Sequence, residues 1–488
     1  MTRSLLMTAA FLSSLLTLKT SFAEDSAQNV PPKGFTALFN GKNLDGWIAH
    51  RQNPYKLDAM TEEERKAFLD EQWKDAIQHW SVDNGELVND GKGVYMTTPK
   101  EYQDFELLVD FKLLPKGDSG IYLKATPQVQ IWDTTKEAGY WRLGADKGSG
   151  GLWNNAGGSP GKDPIVHADK PIGEWNSFRI RQIGARTWVW LNDKLAVDGA
   201  ALHNYWNRAL PLRAKGPIQL QTHGNEVRWR NIFIREIGTE EATQSLAGSD
   251  SGFTSIFDGE SLDGWAGPIE NYEVVDGTVR CKQGRGGTIY YDENLTDFVA
   301  RLEFKVPPGG NNGLAIRYPG KGDTAYVGLC ELQVLDNTAE KYAKLDPRQY
   351  HGSVYGVVAA HRGYQRPVGE WNYQEVTVKG SWVKVELNGT VIVDADVTKP
   401  KEHMGKRHIG IDRFDGYFGF AGHGDAVQYR NVRIKKLAPA NEKPAENKPP
   451  VKKEAPKKEA PAKADDGGKK AKKEAAAKAA AKKTKEKK

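Results

Sequence analysis

One sequence motif occurs twice in this chain. Residues 34–47 and 252–265 agree at nine of fourteen positions, and both end in Leu-Asp-Gly-Trp. The repeat is far longer than the units of solenoid proteins, which run about 20–50 residues. It suits an independently folded domain, for which about 50–250 residues is usual. The chain therefore contains a duplicated domain, and each copy is long enough to bury a core of its own.

A second shared block fixes the order of the two copies. Gly-Glu-Trp-Asn occurs at 173–176 and again at 369–372. We predict a first domain at 34–238, a polar linker at 239–251 and a second domain at 252–437.

The first 23 residues have the pattern of an export signal. Arg3 precedes a Leu-, Phe- and Ala-rich stretch, and the segment ends in Ser21-Phe22-Ala23. An uncleaved membrane anchor is the alternative, but the apolar run is short and contains Ser and Thr, whereas spanning needs about 20 apolar residues. No later segment has the length to cross a membrane. The sequence predicts a signal peptide at 1–23 and an exported protein, periplasmic or secreted.

The positive charge of the chain lies at its end. Residues 439–488 hold 17 Lys and eight acidic residues, which leaves 52 basic and 55 acidic residues elsewhere. We therefore expect no nucleic-acid partner for the folded domains, which would need clustered Lys and Arg. The Lys/Ala/Pro-rich tail at 438–488 is predicted to be disordered. It could be a solvated spacer, or it could make weak contacts with anionic envelope polymers.

Neither cysteines nor metal motifs define a cofactor. Cys281 and Cys330 both lie in the second copy, and their spacing leaves open whether they form a disulfide. The chain has no Cys/His zinc spacing and no EF-hand loop. We predict no cofactor, although a loop-bound calcium ion stays open because the ligands of such sites are scattered along the chain.

Short strands joined by tight turns dominate both copies. Examples are the alternating runs at 105–113 and 383–387, the second of which leads into an Asn388-Gly389 hairpin signal. Many such strands within one domain predict an all-β sandwich of two antiparallel sheets, the jelly-roll class, in which a curved sheet can offer a groove.

One helical insertion distinguishes the first copy. Thr61 and Glu64 form a capping-box pattern, and Phe68, Leu69 and Trp73 fall on one helical face. The second copy lacks this segment.

The ordered blocks resemble a known family. They comprise the shared opening phrase, Ser-Gly-Ile-Tyr-Leu-Lys at 119–124, Gln-Val-Gln-Ile-Trp-Asp at 128–133, Gly-Glu-Trp-Asn, and a closing His-Gly before Arg-Asn. Together they resemble the 3-keto-disaccharide hydrolase domain, formerly a domain of unknown function, over 34–237 and 252–437. The resemblance implies two concanavalin/laminin-G-like jelly rolls, export, and a carbohydrate substrate already oxidised at C3.

The chemistry implied by the resemblance does not need the pair of catalytic carboxylates that this sequence lacks. Ordinary glycosidases use two carboxylates that flank the scissile bond. Concanavalin-like glucanases carry them on a Glu-x-Asp-x-x-Glu strand, and neither Gln128–Asp133 nor Glu331–Asp336 supplies that set. A ketone at C3 acidifies the hydrogen on C2, so one base and one group that stabilises the enolate suffice for elimination at C1.

The second copy offers candidates for both roles. Because alternate residues of a strand share a face, Arg317 should lie beside Glu331 and Gln333. We predict Glu331 as the base and Arg317 as the enolate stabiliser, with His423 as a third catalytic residue and with Gln333 and Tyr355 in substrate binding. The alternative is an ordinary cross-strand ion pair between Glu331 and Arg317.

The first copy differs at the decisive position, because Gln128 cannot abstract a proton. A base there would have to be Asp133, Asp146 or His223. Its predicted substrate-binding residues supply amides, a cation and flat aromatic faces: Lys124, Gln128, Gln130, Trp132, Trp153 and His223. The alternatives are that the tryptophans belong to the core and that His223 and His423 only bond to the backbone of their turns.

Three functions follow. The leading one is an exported enzyme that cleaves 3-keto-glycosides by C2 proton abstraction, elimination and hydration. The others are a pair of carbohydrate-binding modules without chemistry, and an envelope-associated structural protein anchored by its tail.

Overall fold

Two antiparallel sheets packed face to face make up each copy. The computed structural model describes residues 28–405 and 407–438. The predicted signal peptide at 1–23 and nearly all of the predicted tail lie outside the described residues.

The first copy contains thirteen strands. They are β1 (Thr36–Ala37), β2 (Ile48–Ala49), β3 (Trp80–Asp83), β4 (Glu86–Asn89), β5 (Met96–Thr97), β6 (Phe105–Leu113), β7 (Asp118–Leu123), β8 (Thr126–Trp132), β9 (Asn176–Ile183), β10 (Arg186–Leu191), β11 (Lys194–Ala201), β12 (Gln219–Leu220) and β13 (Val227–Glu236). An eight-stranded sheet has the order β11-β10-β9-β6-β13-β4-β3, with β1 also paired to β13. The facing five-stranded sheet has the order β2-β5-β12-β7-β8.

The second copy repeats this arrangement strand for strand. Its strands are β14 (Thr254–Ser255), β15 (Trp265–Ala266), β16 (Tyr272–Val275), β17 (Thr278–Cys281), β18 (Gly287–Tyr291), β19 (Phe298–Lys305), β20 (Asn311–Tyr318), β21 (Cys330–Leu335), β22 (Asn372–Lys379), β23 (Trp382–Leu387), β24 (Thr390–Asp396), β25 (Tyr417–Gly422) and β26 (Gln428–Lys436). The eight-stranded sheet runs β16-β17-β26-β19-β22-β23-β24, with β14 on β26, and the five-stranded sheet runs β15-β18-β25-β20-β21.

The period of two along the strands builds both cores. In β6 and β19 every second side chain is an apolar residue that is fully buried between the sheets, such as Leu107 and Val109 in the first copy and Ala300 and Leu302 in the second. Each copy thus has a separate apolar core. The predicted fold class, two tandem β-sandwiches with few helices, is confirmed.

The described residues contain four α-helices: α1 (Pro54–Asp58), α2 (Glu62–His79), α3 (Thr239–Ala247) and α4 (Thr324–Val327). The capping box predicted for α2 is present, since Thr61 Oγ1 accepts from the Glu64 amide and the Glu64 carboxylate accepts from the Thr61 amide. The segment predicted as a polar linker contains α3. Ala242, buried on α3, packs with Ile183 and Ile237 into a small apolar cluster that explains why this stretch is helical.

Cys281 and Cys330 are both free thiols, buried in the second core. Burial raises the pKa of both thiols. In the described parts of the chain, no helix has the length and apolar character required to span a bilayer.

A buried cation joins the two sheets at one end of the second sandwich. Arg317 follows the regular part of β20 at a register shift, has a left-handed φ of 48°, and is fully buried. Its guanidinium donates to the carbonyl oxygens of Thr296, Gly380 and Arg413, and Nη2 lies 2.9 Å from Asp297 Oδ1. Asp297 Oδ1 also accepts from the Gly380 amide, at the turn between β22 and β23. The cation thereby ties one sheet to a hairpin of the other.

The first copy has the same arrangement with lysine. Lys124, with φ 55°, is fully buried, and its Nζ donates to the Gly184 carbonyl at 2.8 Å. The Gly184 amide donates to Asp104 at 2.8 Å. Burial lowers the pKa of Lys124 to about 8, although the Asp104 carboxylate opposes this. We call each cation–aspartate–glycine set a hairpin lock.

The hairpin locks overturn two sequence predictions. Strand alternation predicts Arg317 on the face of Glu331, and Lys124 on the corresponding face of the first copy. Both expectations are wrong, because the left-handed backbone at each position ends the alternation and turns the side chain toward the eight-stranded sheet. The alternative of a Glu331–Arg317 ion pair is also wrong, since Arg317 pairs with Asp297.

Removing the guanidinium should therefore affect stability. We expect Arg317→Met to lower the free energy of unfolding by about 3 kcal/mol, because the carbonyl oxygens of Thr296, Gly380 and Arg413 lose the buried donor that the guanidinium supplies. Chemical denaturation of the full chain measures this. Lys321→Met, at an exposed position nearby in sequence, should change the value by less than about 0.5 kcal/mol. A loss for Arg317→Met no larger than that of the control would contradict the lock.

The two copies belong to one compact unit and meet through two hairpins. The turn between β9 and β10 contacts the turn between β23 and β24, where the Ala185 amide donates to the Gly389 carbonyl at 3.1 Å. Gly184 is required there, because a Cβ at this position would collide with the backbone of the facing turn. Beside the turns, Arg186 makes a bidentate ion pair with Glu386, which is almost fully buried.

A double-mutant cycle on this pair tests the contact between the copies. Arg186→Ala should lower the free energy of unfolding by about 2 kcal/mol, because Glu386 then stays buried without a partner. The double variant with Glu386→Ala should lose at least about 1 kcal/mol less than the sum of the single losses. Thermal and denaturant unfolding of the four proteins give the coupling energy. Strict additivity would show that the ion pair does not couple the copies.

Candidate functional site

One face of each five-stranded sheet is turned away from the core, and we call it the site face. In the second copy the inward residues of β20, β21 and β25 are apolar core residues: Leu314, Ile316, Leu332, Val334, Phe418 and Phe420. The residues between them form the site face: Gly313, Ala315, Glu331, Gln333, Gly419 and Ala421. Small residues thus surround two polar side chains.

His423 and Glu331 form the centre of this face. His423 Nε2 lies 2.8 Å from Glu331 Oε1. The Glu331 side chain is 3% exposed, whereas that of His423 is 42% exposed. The imidazole is therefore the group that solvent or a ligand can reach, and the carboxylate lies beneath it.

Gly313 makes room for this pair. It pairs with Gln333 on the neighbouring strand, and a Cβ on Gly313 would collide with the Glu331 carboxylate. The absence of a side chain therefore lets the carboxylate fold across the sheet toward His423.

The electrostatic surroundings favour the imidazolium. Burial on its own would lower the pKa of His423, but the hydrogen bond and charge of Glu331, together with the charges of Asp323 and Asp425, outweigh it. The pKa of His423 is raised as a result. A histidine with a raised pKa and an exposed ring is suited to accept and return a proton near neutral pH.

Two further polar pairs flank this centre. Gln333 Nε2 donates to Asn311 Oδ1 at 2.6 Å, and the Tyr355 hydroxyl accepts from Gln349 Nε2 at 2.9 Å. The Tyr355 amide donates to the Glu331 carbonyl, which fixes this half-buried ring at the edge of β21. The structure therefore brings together Glu331, Gln333, Tyr355 and His423 as predicted; their roles stay predictions.

The site face of the first copy is more polar and more aromatic. Its members on β7 and β8 and just after β12 are Gly120, Tyr122, Gln128, Gln130, Trp132 and Gln221. Gln128 Nε2 donates to Gln130 Oε1, and Gln130 Nε2 donates to Asp118 Oδ1 at 2.8 Å. Asp118 was not among the predicted site residues, although the alternation of β7 puts it on the face of Gly120.

Asp118 pairs with the repeated histidine of the first copy. His223 Nδ1 lies 3.1 Å from Asp118 Oδ2, and the two side chains are 60% and 15% exposed. The hydrogen bond and charge of Asp118 raise the pKa of His223, while burial opposes them. His223 is thus an accessible imidazole on a carboxylate, as in the second copy.

The two tryptophans predicted to bind substrate in the first copy differ in burial. Trp132 is buried, its Nε1 donates to the Gly148 carbonyl at 3.0 Å, and its ring meets that of Trp153 at 5.1 Å. Trp153 is half-buried and carries the Lys162 ammonium above its ring at 4.1 Å. Trp153 therefore keeps a surface for a ligand, whereas Trp132 mainly supports it.

The other bases considered for the first copy lie elsewhere. Asp133 accepts from the amides of Lys116 and Thr135, and it fixes the turns at the ends of β7 and β8. Asp146 is exposed in a short 3-10 turn at Ala145–Lys147. Among the described residues, no group of three or more His, Cys, Asp or Glu side chains is arranged to hold a metal ion.

The raised pKa of His423 has a measurable cause. We expect Glu331→Gln to lower the pKa of His423, because burial remains while the carboxylate is lost. Titration of the ring protons by NMR measures this directly, and Glu340→Gln, at an exposed position, is the matched control. The stabilisation from the protonated pair should be complete below pH about 6.5 and lost as pH rises through the folded pKa. An unchanged or higher pKa of His423 in Glu331→Gln would contradict this account.

Fold and site together define a class: tandem jelly-roll sandwiches with an imidazole–carboxylate pair on the site face of each copy. The family model described as the 3-keto-alpha-glucoside-1,2-lyase-like domain matches residues 34–235 and 252–435. The chain belongs to this family, which confirms the predicted resemblance and an enzyme of the hydrolase or lyase type.

Individual relatives are more distant. A 3-keto-disaccharide hydrolase of Bacteroides thetaiotaomicron is 28% identical over 264 residues, which covers 46% of this chain and 91% of that protein. A crystal structure from Parabacteroides distasonis, provisionally named a glycosyl hydrolase, is 23% identical with a TM-score of 0.35, over 38% of this chain and 99% of the other. The carbohydrate-binding module CBM66 of Bacillus subtilis is 16% identical with a TM-score of 0.22, over 38% and 96%.

Proposed function

We propose that this chain is an exported enzyme that cleaves 3-keto-glycosides by elimination followed by hydration. The observation that carries the proposal is the exposed His423 held on the buried Glu331 at 2.8 Å. Family membership and the name of the Bacteroides relative support the substrate class. The apolar stretch of residues 1–23 supports export to the periplasm or beyond.

His423 is the base in this scheme, in place of the predicted Glu331, because the Glu331 carboxylate is buried beneath the imidazole. Its Nε2 donates to Glu331, so the lone pair of Nδ1 is available for the hydrogen on C2 of the sugar. That C–H bond breaks, the proton moves to Nδ1, and its electron pair forms the enolate of the C3 ketone. Glu331 holds the ring in the required orientation and stabilises the imidazolium, as the carboxylate partner of a catalytic histidine does.

The enolate then expels the group on C1. The C3 carbonyl re-forms, a double bond forms between C1 and C2, and the C1–O bond breaks as the leaving oxygen takes the proton from His423. Water next adds to C1, His423 takes a proton from that water, and the imidazolium delivers the proton to C2. The sum is hydrolysis, so neither an oxidant nor an organic cofactor is required.

The oxygen on C3 needs a hydrogen-bond donor while it carries negative charge. Arg317, predicted for this task, faces the other sheet. Tyr355 is the best-placed substitute, because its hydroxyl accepts from Gln349 and keeps its own proton to donate. Gln333 lies on the same face and would bind a sugar hydroxyl.

Cleavage in D2O tests the proposal. The full chain should convert a 3-keto-disaccharide to 3-keto-glucose that carries deuterium at C2, and it should leave the parent disaccharide intact. Replacing His223 and His423 together by Asn should lower kcat/KM by about 100- to 10,000-fold, the usual contribution of a general base. NMR of the product mixture gives both rate and label.

The controls are His167→Asn and His361→Asn, which alter one exposed histidine in each copy. They should keep the wild-type rate. Cleavage without deuterium at C2 would contradict elimination. Saturable binding of the keto sugar without turnover would instead identify a carbohydrate-binding protein.

A further inference from the structure

The acid and the amide of the two sites have exchanged strands. Backbone register makes Asp118 equivalent to Asn311 and Gln128 equivalent to Glu331, because Gly120 pairs with Gln130 as Gly313 pairs with Gln333. The first of these two positions is an acid in the first copy and an amide in the second. The second position is an amide in the first copy and an acid in the second. Each copy keeps one carboxylate.

The histidine follows the carboxylate in each case. His223 presents Nδ1 to Asp118, whereas His423 presents Nε2 to Glu331. The imidazole thus turns a different nitrogen toward the sheet and leaves the opposite nitrogen free. The carboxylate thus lies on different strands in the two copies, yet it contacts the histidine in both. A purely packing role for the first site would not require this contact to be kept.

The surroundings of the first pair are those of a complete site. Both oxygens of Asp118 are used, one by Gln130 and one by His223, so the carboxylate is held in place. Trp153 takes the place of Tyr355, since Leu152 bridges to Val129 as Val354 bridges to Leu332.

We propose that the first copy is a second active site for 3-keto-glycosides, with His223 as its base and Asp118 as the partner of that base. This inference rests on the proposed function of the second copy. Nε2 of His223 takes the proton from C2 and returns it to the leaving oxygen on C1, and hydration completes the balance as in the second copy.

The two sites should differ in the glycosides they prefer. Ala315 of the second copy is replaced by Tyr122, which meets Tyr95 edge to face at 5.2 Å. Tyr122 itself is buried, whereas Tyr95 is half-buried and keeps part of its ring accessible. Aromatic side chains offer flat apolar faces. The first site should therefore favour leaving groups with an apolar face, such as an aryl group, over a disaccharide.

Variants of the full chain separate the two sites. In His423→Asn, cleavage of an aryl 3-keto-glucoside should remain at least about tenfold above that of the variant lacking both histidines. Adding Asp118→Asn should remove this remaining cleavage activity, which we call the remainder. Adding Gln128→Glu to that protein should restore it at least about threefold, because the acid returns at the position used by the second copy. Asp146→Asn is the matched control and should keep the remainder.

The outcomes distinguish failure of the inference from failure of the proposed function. If the wild type cleaves but His423→Asn is no better than the variant lacking both histidines, the first copy is inactive and the inference is overturned alone. If Asp118→Asn leaves the remainder unchanged, its role as partner is overturned. An inert wild type overturns the proposed function itself. Restoration by Gln128→Glu supports the inference and shows that the parent variant is folded.

Discussion

A buried carboxylate must have a hydrogen-bond donor, and this requirement organises the site of the second copy. Glu331 is almost fully buried on the outer face of a sheet, and His423 supplies the contact that makes this burial tolerable. Because the donor is an exposed imidazole, the same contact that satisfies the acid raises the pKa of a reachable base. One hydrogen bond therefore both stabilises the buried acid and tunes the exposed imidazole.

The scaffold separates stability from chemistry. Buried cations are placed at the hairpin locks, where Lys124 and Arg317 join the two sheets. The site faces keep small residues, amides and the imidazole–carboxylate pairs. Because the locks, the cores and the contact between the copies lie away from the site face, the residues of that face could change while the sandwich was kept. The exchange of acid and amide between the copies is such a change.

Much of this could be predicted from sequence, and the failures have physical causes. The duplication, the sandwich class and the capping box of α2 follow from local patterns. Alternation correctly placed Glu331 and Gln333 on one face, and it failed at Arg317 because a left-handed residue interrupted the strand. No local signal marks that turn. Asp118 escapes prediction for another reason: the alignment of the two copies pairs Gln128 with Glu331, and the acid of the first copy lies on the neighbouring strand, opposite an amide in the second copy.

A structure of the chain bound to a slowly cleaved 1-thio analogue of a 3-keto-glucoside tests the central claim most directly. The account predicts the sugar on the site face, with C2 within about 3.5 Å of the imidazole nitrogen that does not contact the carboxylate. It also predicts the C3 oxygen near Tyr355 in the second copy. A sugar bound elsewhere, or bound with C2 turned away from both His223 and His423, would contradict it.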